Sequence, residues 1–396
     1  MKLLLGGVPL GCDNIGDEAI IACVVKLIRS LVNDADITVC TRDQKGTADR
    51  LAVQTAPLYG FPPTPELQQF SQFVKGFDAY IWFGATGLSD YPDTALPLLA
   101  AAQNAGVKTI VWCVGMDDEL NPAFFKVHGK KLCLLKFASM LSFCLFDAVG
   151  HYESRLVAGA RRRIASALAN CRLVSVRDPE SAEELLKCGV KNVVTSADTA
   201  ILQDTADSLP LPDIQGVRRI GFCISAQREM KQREQILALW KRLLDIPDTR
   251  LVLIPMNPKT DKALMLGLAE ELPQKDRIER LDNDDPAVVQ ACASQCCVVI
   301  SSRLHLLILA SNVHTPVIGI ERGSKIRNWL KNFGDTPAGT VYDCDFNGIF
   351  SRVQAILGTP REQLRKQIEQ TMKRLHSRLK TAAQALKNAL ENSRKL

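Results

Sequence analysis

The stretch SSRLHLLILA at residues 301–310 places two side chains that can be cationic where an apolar, strand-like run passes into an apolar helix. Arg303 and His305 stand in the first turn of this predicted helix, where acidic residues are normally favoured. Because burying them beside apolar residues without a partner is costly, their position indicates a bound anion. A further strand-like run at 315–320 ends shortly before Lys325, so we expect Lys325 at the same edge.

A second candidate cation, Arg177, belongs to the segment SVRDPESAEELLKCGV at 175–190. Helix formation explains Asp178 as an N-cap and Pro179 as the first helical residue. It does not explain Arg177, which we expect at the carboxyl end of the preceding strand. Asp198 stands at the end of the next predicted strand, and we expect it at the same edge.

These cations predict one site in a cleft, with Arg177 from one half of the chain and Arg303, His305 and Lys325 from the other. Arginine and lysine bind carboxylates and phosphates well, arginine through paired hydrogen bonds, so the expected ligand is a small, multiply charged anion. A lone histidine usually has a structural role, which we assign to His314, but the neighbouring cations favour a functional His305. We see no cluster of metal-ligand type and expect no obligatory metal.

Two glycine-containing segments are further candidates for ligand binding in this cleft. GCDNIGDEAI at 11–20 follows the first predicted strand, and Asn14 with Asp17 can form a capping-box-like exchange at the start of a helix. Plain helix capping explains the segment as well as ligand binding does. The acidic Asp17 and Glu18 disfavour a phosphate cradle and suggest a hydroxylated ligand.

The second of these segments is FGATGLSD at 83–90, at the end of the third predicted strand. Gly84 and Gly87 would allow the backbone to approach a ligand closely. Taken alone, this glycine pattern is a weak indication of a site.

The elements that must position these side chains are repeated βα units. Strand-like runs occur at 2–6, 36–41, 78–83, 108–114, 173–177, 192–196, 218–224, 249–254, 297–301 and 315–320. They are continuous apolar runs, which is typical of parallel strands covered on both faces by helices. We therefore predict an α/β protein of two Rossmann-like domains with parallel sheets and a cleft between them.

A stretch rich in Pro, Asp and Gly interrupts the βα pattern and indicates a linker between two domains. The predicted division is an N-terminal domain that supplies Arg177, a linker, a second domain that supplies the other three cations, and C-terminal helices, at 1–205, 206–216, 217–345 and 346–396. Ligands of open α/β sheets bind at the carboxyl ends of the strands, where the motifs above fall.

Composition limits the classes of function. The 396 residues carry a net charge of +6, which favours an anionic substrate or surface but is too weak to indicate nucleic acid. The 13 cysteines are scattered without metal-type spacing, and no export signal or membrane-length apolar run is present, so we expect reduced thiols and a cytoplasmic protein.

Two basic, partly apolar segments have two interpretations each. One is an amphipathic helix at 361–395, and the other spans 121–163, where Phe124, Phe125, Phe137, Phe143 and Phe146 alternate with Lys126, Lys130, Lys131 and Lys136. Packing of the apolar side chains on the protein is the favoured interpretation. The alternative is peripheral contact with an anionic membrane, at the inner membrane face.

The motifs resemble those of the polysaccharide pyruvyl transferase family. The resemblance extends over residues 5–330 and rests on DNIGDEAI (13–20), VRDPES (176–181) with Asp198, and SSRLHLLILA followed by PVIGI and Lys325. It departs from the family pattern in the short glycine run at 84–87 and in a longer stretch at 119–170.

The resemblance implies a two-domain GT-B-like fold and phosphoenolpyruvate as donor, without a further cofactor. Pyruvate would pass to two hydroxyls of a sugar, free or lipid-linked, as a cyclic ketal with release of phosphate. The implied donor-binding residues are Arg177, Arg303, His305 and Lys325, and the implied catalytic ones are Arg177 and His305. The domain at 217–345 would then be the donor side and the domain at 1–205 the acceptor side, with Asn14, Asp17, Glu18, Gly84 and Gly87 as acceptor-binding residues.

Ketal formation needs a proton donor at the enol carbon, and His305 is the candidate. The base that receives the acceptor proton stays open among Asp17, Glu18 and Asp198. Two other functions also stay open: a GT-B glycosyltransferase that uses a nucleotide sugar, and a non-catalytic glycan-binding scaffold. Four cations in one cleft argue against the scaffold.

Overall fold

A computed structural model describes residues 1–61, 67–141, 145–227 and 232–391 of the protein. Over these residues the chain forms two parallel sheets, each covered on both faces by helices. The seven-stranded sheet has the order β3-β2-β1-β4-β5-β6-β7, and the five-stranded sheet has the order β10-β9-β8-β11-β12. This confirms the predicted α/β fold of two Rossmann-like domains.

The first sheet contains the strands β1 (Lys2–Gly6), β2 (Asp36–Thr41), β3 (Gln54–Pro57), β4 (Ala79–Phe83), β5 (Lys108–Val114), β6 (Leu173–Val176) and β7 (Val194–Thr195). Its helices are α1 (Ile15–Leu31), α2 (Gln44–Leu51), α3 (Leu67–Phe73), α4 (Gly87–Asp90), α5 (Pro92–Asn104), α6 (Pro122–Phe125), α7 (Gly129–Leu141), α8 (Ala148–Ala169) and α9 (Pro179–Lys187). Short 3₁₀ turns occupy Val74–Gly76 and Thr199–Leu202.

The second sheet contains β8 (Arg218–Cys223), β9 (Thr249–Leu253), β10 (Ile278–Arg280), β11 (Cys296–Ser301) and β12 (Val317–Gly319). Its helices are α10 (Arg233–Asp245), α11 (Thr260–Ala269), α12 (Pro286–Ser294), α13 (Leu304–Asn312) and α14 (Ser324–Lys331), followed by α15 (Phe346–Gly358) and α16 (Arg361–Glu391). A 3₁₀ turn at Lys275–Arg277 precedes β10. The chain between Leu202 and β8, where a linker was predicted, has no helix or strand.

The C-terminal helix α16 crosses back to the first domain. Its apolar stripe is buried at Leu375, Leu379 and Leu386, and it packs on β6, β7, α1 and α13. Three of its arginines donate to backbone carbonyls: Arg378 to Ser196 O at 2.7 Å, Arg374 to Asn332 O at 2.7 Å and Arg361 to Ser294 O at 2.8 Å. This helix therefore packs on the protein, as the favoured interpretation expected.

The segment 121–163 does not pack as expected. Phe125 is buried, but Phe124, Phe137 and Phe146 are exposed, and α7 has no buried residue. Phe143 lies outside the described residues. For most of these aromatic side chains the expectation of core packing was therefore wrong, because apolar periodicity shows that a face exists and not that anything covers it.

The described helices include none that is both long and apolar enough to cross a membrane. Twelve cysteines lie in the described residues, and all twelve are free thiols. Burial raises the pKa of several of them, as at Cys40 and Cys223, to about 12, so these thiols are protonated and unreactive.

Candidate active site

A cleft of about 450 Å³ lies between the two sheets, and both domains line it. It is bordered by the four predicted cations Arg177, Arg303, His305 and Lys325, and by Asn14 and Asp17. The structure thus brings the predicted donor-side residues together with part of the predicted acceptor side. Glu18, Gly84 and Gly87 do not border this cleft.

His305 is the second residue of α13, and its ring lies between the two domains. Its Nε2 atom is buried and has no hydrogen-bond partner within the described residues. The neighbouring carboxylate oxygen, Asp198 Oδ2, is 3.6 Å from Nε2. On the other side the ring packs on Gly16 of α1, so closely that a Cβ atom at Gly16 would lie 2.2 Å from Nδ1.

Arg177 directly follows β6, and its buried guanidinium rests on the backbone of Gly115. It lies 3.4 Å from both Asp178 Oδ2 and Asp198 Oδ2. Burial works to lower the pKa of Arg177, but the nearby carboxylates of Asp198 and Asp178 outweigh it and raise that pKa. Arg177 therefore keeps its charge in a buried position.

Asp198 lies between Arg177 and His305 and links the two domains. Its Oδ1 accepts a hydrogen bond from Ala200 N at 3.0 Å, which fixes the carboxylate at the start of a 3₁₀ turn. Burial acts to raise the pKa of Asp198, but His305 and Arg177 together lower it below the usual value. The carboxylate is therefore ionised, and a protonated imidazole at His305 would have a counter-ion.

Arg303 holds the N-cap position of α13 and is already paired inside the protein. Its Nε and Nη2 atoms donate to the two oxygens of Asp261 at 2.9 and 2.8 Å, and Asp261 is fully buried. Nη1 is 3.4 Å from Gln227 Oε1 at the cleft. Only this part of the guanidinium is therefore available for a ligand.

Lys325 reaches from α14 across to the first domain. Its Nζ lies 3.4 Å from Thr86 Oγ1 and 3.8 Å from Asp90 Oδ2. Its backbone N donates to Asp117 Oδ1 at 3.1 Å, so Asp117 caps α14 from the other domain. Burial lowers the pKa of Lys325 below that of an ordinary lysine, although Asp90 and Asp117 act in the opposite direction.

On the predicted acceptor side, Asn14 caps α1 as expected. Asn14 Oδ1 accepts from Gly16 N at 3.3 Å and Nδ2 donates to Asp17 Oδ2 at 2.7 Å. Burial raises the pKa of Asp17, while His305 and Lys325 act to lower it. The carboxylate of Glu18 instead accepts from Gly11 N and pairs with Arg50 at 2.6 Å, so it holds the loop together.

Protein atoms occupy the space beside the two predicted glycines of the 83–90 segment. A Cβ atom at Gly84, whose φ is +57°, would lie 2.7 Å from Ile20. One at Gly87 would lie 2.6 Å from Trp82. The neighbouring residues Thr86 and Asp90 border the cleft. The acceptor role of the two glycines stays a prediction.

The sequence profile of the polysaccharide pyruvyl transferase family matches residues 14–324. The chain belongs to the polysaccharide pyruvyl transferase family. The matched range includes Arg177, Arg303 and His305 and ends one residue before Lys325. Membership indicates an enzyme that transfers pyruvate.

Solved structures similar to this pyruvyl transferase family member share its fold at low identity. A putative UDP-N-acetylglucosamine 2-epimerase from Listeria monocytogenes has a TM-score of 0.63 at 12% identity, covering 100% of this chain and 98% of that one. The UDP-GlcNAc 2-epimerase from Neisseria meningitidis bound to UDP-GlcNAc has a TM-score of 0.59 at 12% identity, covering 98% of this chain and 99% of that one. The spinosyn rhamnosyltransferase has a TM-score of 0.56 at 13% identity, covering 99% of this chain and 100% of that one.

At such identities the likeness shows the fold alone, which is of the GT-B type. A search of curated protein sequences finds no match. Across the described ranges no three His, Cys, Asp or Glu side chains are grouped as a metal ion would need. The expectation of a metal-independent reaction stays a prediction.

The sequence analysis missed two residues that line the cleft, Thr86 and Asp90, and two that hold cleft cations, Asp117 and Asp261. Asp90 and Thr86 follow β4, and Asp117 follows β5, so the strand-end rule that identified Arg177 could have found them. Asp261, the partner of Arg303, lies in the first turn of α11, and no local pattern marks it.

Proposed function

We propose that the protein transfers pyruvate from phosphoenolpyruvate to two hydroxyls of a glycan sugar, as a cyclic ketal, and releases phosphate. The observation that carries this proposal is the convergence of Arg177 with Arg303, His305 and Lys325 at one interdomain cleft. Family membership supports pyruvate as the transferred group. The donor and the ketal product are the proposed parts.

Charge supports a small anionic donor. Phosphoenolpyruvate carries a phosphate and a carboxylate, which arginine and lysine bind through charge-assisted hydrogen bonds. Arg177 and Lys325 have only long contacts of 3.4 Å or more to their side-chain partners, so a ligand can replace those contacts. Arg303 is held by Asp261 and would contribute mainly through Nη1.

The reaction begins with a proton. His305, when protonated, would donate to the methylene carbon of phosphoenolpyruvate, which becomes a methyl group and leaves an oxocarbenium-like centre at C2. One sugar hydroxyl attacks C2 and loses its proton. The C2–O bond to phosphate then breaks with its electron pair, and the second hydroxyl attacks C2 and loses its proton. One of these two protons leaves with phosphate, and the other restores His305.

Asp17 is the candidate for the group that first receives the acceptor proton. Of the three carboxylates considered from the sequence, Glu18 is occupied by Arg50 and Gly11. Asp198 is the counter-ion of Arg177 and His305, and its lowered pKa makes it a weak base. Asp17 borders the cleft and has a raised pKa, which suits a general base.

The test incubates the full chain with phosphoenolpyruvate and candidate free or lipid-linked glycans. We expect released phosphate and a glycan product with the mass of an added pyruvate ketal. Thermal stabilisation by phosphoenolpyruvate and not by UDP-sugars is the second expected result. Stabilisation by UDP-sugars alone would reject the proposal and favour a nucleotide-sugar transferase on this fold.

The role of His305 has a matched control in the same helix region. His305→Asn should abolish product formation. His314→Asn makes the same substitution just beyond α13, at a residue with φ of +58°, a conformation that asparagine tolerates. We expect His314→Asn to retain activity. If His305→Asn retains it too, His305 is not the proton donor.

A further inference from the structure

The segment from α6 to α8 exposes an unusual amount of apolar surface. Of the fourteen large hydrophobic residues that are exposed in the described parts of the chain, seven lie between Phe124 and Phe146. In α7 the exposed fractions are 66% for Leu134, 52% for Phe137 and 66% for Leu141. Contiguous exposed apolar surface of this kind marks an interaction site.

The exposed apolar side chains form one face of α7. At about 100° per residue, Leu134, Met140 and Leu141 all project within about 60° of Phe137. The opposite face carries Leu132 and Leu135, which are only partly exposed, and α7 packs on α8. Helix α7 is thus an extra layer on the first domain, with its more apolar face directed outward.

α7 is also attached firmly enough to present this face in one orientation. Ser139 Oγ accepts a hydrogen bond from Ala148 N at 2.9 Å. Lys131 lies over the ring of Tyr152, with Nζ 4.0 Å from the ring centre, and also donates to the Tyr152 hydroxyl. These contacts join both ends of α7 to α8.

Positive charge flanks the apolar face. Around the helix axis, Lys131 projects about 120° from Phe137 on one side and Lys136 about 100° from it on the other. Lys130 lies near the start of the helix on the same face as Phe137. The stretch 126–141 contains four lysines and no acidic residue, and of these lysines Lys126 is paired with Glu153 of α8 at 3.3 Å. An apolar helix face bordered by lysines is typical of helices that lie in the surface of an anionic bilayer, where lysine reaches the headgroups.

We propose that the exposed face of α7 docks on an anionic lipid bilayer, with its apolar side chains among the acyl chains and Lys130 and Lys136 at the phosphates. A second copy of this chain fits the face less well, because two copies meeting here would bring like charges together. Phe124 of α6, which precedes α7 in the chain, is exposed and borders the cleft, so the segment that carries the docking face also contributes to the cleft.

The docking itself does not depend on the chemistry of the cleft. Only its use, the approach of the cleft to acceptors at a membrane, rests on the proposed function. Vesicle binding and pyruvate transfer to a free glycan are therefore measured separately, so that failure of one is distinguishable from failure of the other.

The experiment is cosedimentation of the full chain with two kinds of vesicle: phosphatidylcholine alone, and two parts phosphatidylcholine to one part phosphatidylglycerol. We expect binding to the anionic vesicles only. The double variant Phe137→Glu/Leu141→Glu should bind them about tenfold more weakly or worse, because two large apolar side chains no longer enter the bilayer. Its thermal stability should be unchanged, since both side chains are exposed.

The matched control is Leu186→Glu on α9, a residue that is 56% exposed and lies outside this face. It should bind the anionic vesicles as the unmodified chain does. Equal binding by the double variant and the unmodified chain would overturn the proposal. A dimer in vesicle-free solution that the double variant dissociates would also overturn it and assign the face to a second copy.

Discussion

His305 and Gly16 are in contact across the interdomain cleft, and the contact leaves no room for a side chain at position 16. A Cβ atom there would lie 2.2 Å from Nδ1 and 2.6 Å from Cγ of the imidazole. Gly16 belongs to the first turn of α1 in one domain, and His305 to the first turn of α13 in the other. The position of the imidazole therefore depends on both domains.

Gly16→Ala should reduce pyruvate transfer about a hundredfold. The added methyl group pushes the imidazole of His305 away from the carbon that it protonates, and a displacement of about 1 Å is enough for such a loss. The same clash overpacks the contact between the domains, which typically costs about 1–3 kcal/mol, so the melting temperature should fall moderately while the protein stays folded. The measurement is kcat/KM for phosphoenolpyruvate together with the melting temperature.

The control for Gly16→Ala is Gly267→Ala in α11, another helical glycine, beside which a Cβ atom meets nothing within 4 Å. It should leave both activity and fold intact. Full activity of Gly16→Ala would show that the contact with Gly16 does not position His305.

Asp198→Asn should lower kcat about a hundredfold with a smaller effect on KM, because the imidazolium loses its counter-ion while Arg177 stays available for the donor. Asp178→Asn is the matched change: it removes the other carboxylate beside Arg177 but keeps an N-cap for α9. The measurement is kcat and KM of both variants, from steady-state kinetics. Equal losses of kcat would mean that Asp198 acts through Arg177 rather than through His305.

The buried ion pair of Arg303 and Asp261 predicts that substitution of either residue destabilises the fold. The resulting loss of activity would resemble a loss of ligand binding. Breaking a buried ion pair from one side leaves an uncompensated charge, so Arg303→Met and Asp261→Asn should each lower the free energy of unfolding by about 3–5 kcal/mol. The double variant should recover most of that loss. Denaturant unfolding of the three variants tests this, and additive losses in the double variant would contradict it.

The sheets were largely predictable from the sequence because their strands are continuous apolar runs. The two strands that were missed, β3 (QTAP) and β10 (IER), are edge strands of four and three residues. Edge strands contribute less apolar surface to the core, so their sequences lack the signal. Local patterns likewise showed that α7 is apolar but not that its face stays uncovered.

The cleft cations were predictable because each follows a strand, and strand ends converge in this fold class. Their partners were predictable only in part: Asp198 was expected at the same edge as Arg177, but the pairing of Arg303 with Asp261 and of Lys325 with Asp117 was not. Asp261 is 42 residues from Arg303, and Asp117 is 208 residues from Lys325. Such pairs depend on how elements and domains are placed relative to one another, and a single sequence does not encode that placement as a local pattern.

The lowered pKa of Lys325 predicts a pH dependence with a definite sign. Burial favours the neutral amine, so Lys325 loses its positive charge at a lower pH than the ordinary lysine value of 10.5. Because the neutral amine binds the anionic donor less well, the Kd of phosphoenolpyruvate should rise on the alkaline side before that value is reached. Kd is the quantity to measure, because loss of the His305 proton would by itself lower kcat/KM as the pH rises. Lys325→Arg keeps its charge, so its affinity for phosphoenolpyruvate should stay constant up to a higher pH. If donor affinity falls at the same alkaline pH in both proteins, Lys325 does not bind the donor.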